Sequence, residues 1–489
     1  MLAVGAILFT SCKKEKEEFT LTVTSSDVNK GIVTGGGVYE EGSQAIIKAV
    51  AESGFHFTKW DDNNTDNPRT VIVNKNMSFT AIFAAGEGGN GGNGGDITDI
   101  NDAMTLSGTM NENKTLKDLG LPIDYIIDGT FYVEGNACLT IEPGVTIAFT
   151  GTNGIIEVGE NAGLKMVGTA EKPIVFQGPI NNPSKGSWGY IQHASNRADN
   201  QMEYVILKNG GSSEEKDSGV LRTYGDGSVS VKNCTIDGGL GCGFSTTYGG
   251  AKNLKVFENN TIKNMDGYAM SMTKMNANAL GKGNKFENNK ENFIVFGWGD
   301  DVLEDEKLTL NAMGAPYFFD ALYVEGELTV NEGVSMVFKK NSGFHISSGA
   351  TIKLLGTEAA PIVISGLENK AGYWEGVEFN SDNSENIFKN VIISDGNERC
   401  LIVDYYDEQY LAVENLTIKN AKEYGLIVKT KTTEEEVDGE WVYSRDWSNV
   451  FKGGISGLKF ENCGKGNIFD NNVLPEETEG VDNVFVAMP

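Results

Sequence analysis

The chain has 489 residues, too many for one compact core, so two or more units are expected. Its net charge of −28, with a sequence pI near 4.5, sets an average field that repels nucleic acid; solubility is its simplest use, and recruiting cations or basic partners the other. Glycine is abundant (61) and proline scarce (10), and short Val, Ile, Leu and Phe runs broken by Gly, Asn and Asp predict an all-β protein.

Residues 1–18 read as an export signal and tether. The apolar run from Met1 to Ser11 is too short to span a bilayer but fits the apolar region of a signal peptide. Phe9, Thr10, Ser11 and Cys12 resemble a relaxed lipobox, in which small residues precede the cysteine that becomes lipidated. Lys13 to Glu18 resembles the charged export signals of surface lipoproteins in Bacteroidetes-like bacteria. The resemblance implies a lipid on Cys12, an outer-membrane and surface-exposed location, and no other membrane contact. The missing basic region implies that the true start lies upstream.

Residues 19–85 form a first unit. Alternation in Phe19 to Val23 and in Phe79 to Phe83 predicts half-buried strands. Gly31-Ile-Val-Thr, Gly54-Phe-His-Phe-Thr-Lys-Trp60, Asn67-Pro68 and Phe79-Thr-Ala-Ile-Phe83 together resemble the divergent internalin B-repeat, which implies a small β module with Trp60 in its core. Asp62, Asn64 and Asp66 alternate as in a calcium loop, but Asn67 stands where the loop needs Gly, and Val73 where it needs the bidentate Glu. A polar turn before Pro68 is the expectation. Residues 86–105 form a Gly/Asn-rich flexible linker.

From about Leu106 onward the pattern is a solenoid with a duplicated block, 106–312 and 313–489. Tyr132-Val-Glu-Gly135 recurs as Tyr323-Val-Glu-Gly326. Leu139 to Phe149 recurs as Leu328 to Phe338, and Gly168 to Phe176 as Gly356 to Ile364. Trp188 recurs as Trp374, which marks both as packing residues, and Asn233-Cys-Thr-Ile236 as Asn415-Leu-Thr-Ile418. Within a copy, Asn233, Asn260 and Phe286 lie about one coil of 20 to 30 residues apart. A parallel β-helix explains the pattern. Val, Ile, Leu and Phe point inward, Asn or Gly takes the left-handed turns, and each coil buries its apolar face on its neighbours. Leu139 to Gly144, Gly168 to Phe176 and Trp188-Gly189 resemble the right-handed, pectin-lyase-like β-helices of exported bacterial lipoproteins.

Chemistry is sparse. No C-x-x-C pair is present, and the three histidines are dispersed, so no metal centre is expected. The absence of a Gly-x-Ser-x-Gly elbow, a phosphate loop and a dinucleotide fingerprint leaves no cofactor expected. Cys234 and Cys242 could bridge, but buried thiols are favoured. Trp298-Gly-Asp300-Asp301 resembles the paired-Asp motif of polygalacturonase-like hydrolases, which implies acid and base roles for Asp300 and Asp301. The companion Gly-His-Gly and Arg-Ile-Lys motifs are missing, so an acidic turn is the alternative. Asp404, Asp407 and Glu408 beside Tyr405 and Tyr406 read as a solvated turn. Lys429 to Asn449 has no counterpart in the first copy, and Trp441, Tyr443, Arg445 and Trp447 there suggest a ligand platform; capping of the helix side is the other reading. The expected function is a monomeric, non-catalytic surface protein for carbohydrate or a host or matrix protein. A polysaccharide lyase or glycoside hydrolase working in a groove is the rival, and a plain spacer the third reading.

Overall fold

The computed structural model describes residues 17–27, 30–51, 55–85, 103–179, 183–211, 213–249, 253–297, 301–403, 409–429, 431–437, 440–446 and 450–471. Cys12, Asp300, Trp447 and the cluster Asp404, Asp407 and Glu408 lie outside them. Two units separate near residue 104.

The first unit is a small β module. Gly37–Glu40, Glu18–Ser25, Met77–Ala85 and Phe55–Trp60 form one sheet, and Gly31–Thr34, Ser43–Ala51 and Arg69–Val73 another. Leu21, Ile47, Val73, Phe79 and Ala81 enclose Trp60, which is fully buried. The indole N–H donates to Asp66 O at 2.9 Å, so burial leaves no polar atom of the ring unsatisfied. Trp60 is a core residue, as its sequence context predicts. The Asp62–Asp66 loop spends its oxygens internally. Asp62 Oδ1 accepts from Asn64 N, and Asn64 Oδ1 from Asp66 N. Arg69 pairs with Asp62 at 2.6 Å. This is the polar turn.

The second unit is a parallel β-helix. Coils of the first copy contribute three strands each until the last, where the 3-10 helix Lys274–Ala279 replaces one of them. One sheet stacks Thr146–Phe149, Ile174–Gln177, Val205–Lys208, Thr235–Asp237, Thr261–Lys263 and Lys285–Glu287. The second begins in the latter half of Tyr125–Val133 and runs through Ile155–Val158, Ile191–His193, Gly219–Gly225, Cys242–Gly249, Tyr268–Met272 and Glu291–Phe296. The third runs from Lys114–Leu116 to Leu254–Glu258. Alternate residues of each strand are buried, as in the iBiB pattern of Ile155–Val158, because a strand's side chains alternate faces.

Asparagine closes the corners. Asn233, Asn259, Asn264, Asn288, Asn390, Asn415 and Asn420 all have positive φ, a region open at low cost to Gly and, through its short polar side chain, to Asn. Some of these side chains bond along the axis: Asn415 Nδ2 donates to Asn390 Oδ1 at 3.2 Å, and Asn264 Nδ2 to Asp237 Oδ1 at 2.7 Å. Other asparagines turn inward to satisfy backbone. Asn260 Oδ1 accepts from Cys234 N while its Nδ2 donates to Val231 O.

The duplication extends to side-chain contacts. Trp188 stacks on Phe149 at 4.3 Å and donates to Lys208 O; Trp374 stacks on Phe338 at 4.7 Å and donates to Ser394 O. Both indoles are fully buried, so both are packing residues. Tyr125 and Tyr317 likewise are buried and donate their hydroxyls to Lys117 O and Asn311 O.

The stack is continuous but changes phase between copies. Tyr317–Phe319 pairs with Glu291–Phe296, a strand of the second sheet, and Ser335–Phe338 follows on it. By sequence, Tyr317–Phe319 and Ser335–Phe338 correspond to first-sheet strands. The second copy's first sheet therefore grows on the first copy's second sheet. A new sheet starts at the Val302↔Val324 bridge and runs through Leu322–Val324, Gly343–Ile346, Gly376–Phe379, Arg399–Val403, Tyr424–Val428 and Gly466–Asp470.

Candidate functional site

The outward row of the second sheet gathers polar and aromatic side chains from strands far apart in sequence. Register places Tyr132 beside Glu157, Glu157 beside Gln192 and Gln192 beside Arg222. Their inward neighbours Val133, Val158, Ile191 and Leu221 are buried, so core packing fixes which residues face out. Arg222 Nε donates to Gln192 Oε1 at 2.8 Å, and the guanidinium lies 3.2 Å from the centre of the Tyr190 ring, well inside the range of a cation–π contact. Tyr190 donates its hydroxyl to Glu157 Oε1 at 3.1 Å. Burial first, and Glu157 in addition, hold the Tyr190 hydroxyl above its ordinary pKa, against the opposing pull of Arg222. The result is a pre-set patch: one guanidinium and one carboxylate joined through a tyrosine, with Tyr132 (37% exposed) and Tyr224 (56%) presenting rings to solvent.

The second copy carries a related row on its new sheet: Tyr323, His345 and Glu378 in register. Tyr323 stacks on His345 with rings 4.5 Å apart and 10° from parallel. His345 Nδ1 donates to Glu378 Oε2 at 3.1 Å, and Arg399 reaches the same oxygen at 3.8 Å. Tyr323 occupies the Tyr132 position of the repeat, and His345 and Glu378 those of Glu157 and Gln192. Gly376 stands at the Tyr190 position, with φ +92.

Two cavities adjoin the rows. One of about 540 Å³ is lined by Glu215, Lys216, Asp217, Tyr268, Phe318, Asp320 and Lys339. Its lysines are both paired, Lys216 with Glu291 and Lys339 with Asp320. The other, about 720 Å³, lies where the copies meet and is walled by Glu304, Asp305, Glu306, Glu325 and Glu327, with Lys307 held by Glu327 at 2.7 Å. Neither offers an unpaired lysine to a carboxylate ligand.

The sequence-derived candidates fare differently. Asp301 accepts from Tyr323 N at 3.3 Å, holding the start of the new sheet, and its neighbour Asp300 is outside the described residues. Trp441, Tyr443 and Arg445 lie on Glu440–Asp446, which pairs antiparallel with Lys431–Val437, opposite Glu436, Glu434 and Thr432. They form one strand of a hairpin added to the coil; their side chains, and Trp447, are outside the described residues. Cys234 and Cys242 are free, buried thiols. Desolvation pushes Cys234 up to about 12 and Cys242 higher still. Tyr190, Gln192 and Arg222 escaped sequence reasoning. The available signal was Tyr132 and Tyr323 at one outward position of both repeats.

Residues 21–87 match the family described as divergent InlB B-repeat domain, residues 108–224 pectate-lyase like beta helix domain, and residues 181–306 right handed beta helix region. No curated protein and no solved structure matches the chain. The chain thus combines an internalin B-repeat-like module with a right-handed, pectate-lyase-like β-helix.

Proposed function

We propose that this protein is a non-catalytic carbohydrate-binding protein of the cell surface, tethered to the outer membrane by a lipid on Cys12, and working as a monomer without a cofactor. The observation that carries the reading is the Tyr132–Glu157–Tyr190–Gln192–Arg222 row. Tyrosine faces suit the C–H faces of sugar rings, and fixed hydrogen-bonding groups beside them suit hydroxyls. The rigid strands beneath hold these groups in place, which lowers the ordering cost of binding. The charge pattern favours a neutral glycan over a uronate, because both cavities are acidic and their lysines are paired. The same pairing favours binding over elimination in the 540 Å³ cavity, since Lys216 and Lys339 are held by Glu291 and Asp320 and neither is free as a base. A host or matrix protein is a second ligand class for the same face. The hairpin bearing Trp441, Tyr443 and Arg445 adds a further proposed contact.

Affinity electrophoresis through gels containing neutral or acidic polysaccharides tests the reading. Retardation by a neutral polymer, weakened in Tyr132→Ala, is expected; retardation only by polyuronates overturns the ligand class. Cys12→Ser, expressed behind an added basic signal-peptide segment, should lose lipid labelling, and retained label refutes the anchor.

A further inference from the structure

The duplication and the phase change together say how many ligands the solenoid holds. The repeat places Tyr132 and Tyr323 at one equivalent outward position, and both are exposed, 37% and 44%. Each is followed along its own sheet by a residue that can hydrogen-bond, Glu157 or His345, and each row is completed by a guanidinium, Arg222 or Arg399. Had the second copy stacked in phase, the two rows would lie on one sheet and form a single track along the axis. They do not. Glu291–Phe296, the last strand of the first copy's second sheet, pairs with Tyr317–Phe319, while Tyr323 sits on Leu322–Val324, in a separate sheet that starts only at Val302. Beyond Arg222 the same register runs through the buried Ser245 and Ser271 to Val295, Phe318 and the buried Val337, without the tyrosine, carboxylate and guanidinium of the rows. A glycan lying along the Tyr132 row therefore continues toward Phe318 and does not reach the Tyr323 row, which is displaced onto a separate sheet.

We infer that the protein engages two glycan segments at once, one on the Tyr132 row and one on the Tyr323 row, and so cross-links neutral polysaccharide instead of threading a single chain. This rests on the carbohydrate reading proposed above. The rows are not identical: the first offers Glu157 and Arg222, the second a His345–Glu378–Arg399 chain, so the two sites bind the same polymer with different affinities. Two sites on one rigid body raise avidity for a polymer without any new contact.

The experiment is calorimetric titration of the whole protein with neutral hexasaccharides of glucose, xylose, mannose and galactose, repeated with Tyr132→Ala and Tyr323→Ala. Melting curves coincident with wild type show that the variants are folded, as expected for exposed rings. Two sites are expected for wild type, one for each single variant and none for the double. With the matching polysaccharide, wild type should give turbidity, and each single variant should bind without it. One site in wild type, or unchanged stoichiometry in Tyr323→Ala, overturns the two-site inference and leaves the carbohydrate reading standing. Heat with none of the sugars overturns the carbohydrate reading, and the inference with it.

Discussion

Acidification should unfold this protein partly through a single histidine. His193 ends an inward-facing strand position of the second sheet, is fully buried, and neither ring nitrogen has a hydrogen-bond partner among the described residues. Its register neighbour Thr223, with Ser228 and Asn253 near the following corner, also buries an unpartnered oxygen. Desolvation, with a smaller push from Lys255, lowers the ring from its ordinary 6.5 to about 4. In the unfolded chain the ring protonates near 6.5, so between 6.5 and 4 the unfolded state binds a proton that the folded state refuses. Stability from this group is full above 6.5 and falls as pH drops toward 4. At 1.36 kcal/mol per unit the loss is about 3 kcal/mol. Urea unfolding of wild type and His193→Leu, each at pH 7.5 and pH 4.5, isolates it, because the carboxylates contribute alike to both proteins. The wild type should lose about 2–3 kcal/mol more than the variant over that interval. Parallel losses would refute the reasoning.

Trp188→Ala and Trp374→Ala should each cost about 3–5 kcal/mol, the range for large-to-small core changes, and by similar amounts, because each removes the same stack and the same indole bond; a near-neutral result in either, read by denaturant unfolding, contradicts the duplicated packing. Cys234, Cys242 and Cys400 should resist a thiol reagent until the chain unfolds, while the half-buried Cys138 and Cys463 react earlier; uniform fast labelling would show that the core thiols are accessible. Changing Trp441 and Trp447 together to Ala should weaken glycan binding with little change in melting temperature if the hairpin is a platform; a loss of several kcal/mol instead identifies those rings as a cap on the coil.

The fold was legible because its signals are local. Asn233 and Asn415 announce left-handed corners, the paired Trp188 and Trp374 announce the duplication, and alternation in Phe19 to Val23 and in Phe79 to Phe83 announces the small module. The row was not legible in the same way. Glu157 and Tyr190 are 33 residues apart and Gln192 and Arg222 are 30 apart, and only the uneven coil lengths decide that these side chains meet. Polar residues such as Thr140, Lys165 and Ser230 stand at many outward strand positions, so Gln192 and Arg222 carry no mark of their own. The phase change was hidden for a related reason: the repeat says that Tyr317 corresponds to Tyr125, but not which sheet lies beneath it. The aromatic residues of 441–447 are adjacent in sequence, whereas the tyrosines of the row are adjacent only after coiling.

The central claim, binding without cleavage on the Tyr132 row, is tested most directly by one incubation. The purified protein is mixed with the neutral polysaccharide that retards it, and the bound fraction and the chain length of the polymer are measured from the same sample. The account predicts that the polymer is bound, that its length is unchanged after prolonged incubation, and that Tyr132→Ala lowers the bound fraction. Shortened chains would contradict it and make the protein an enzyme.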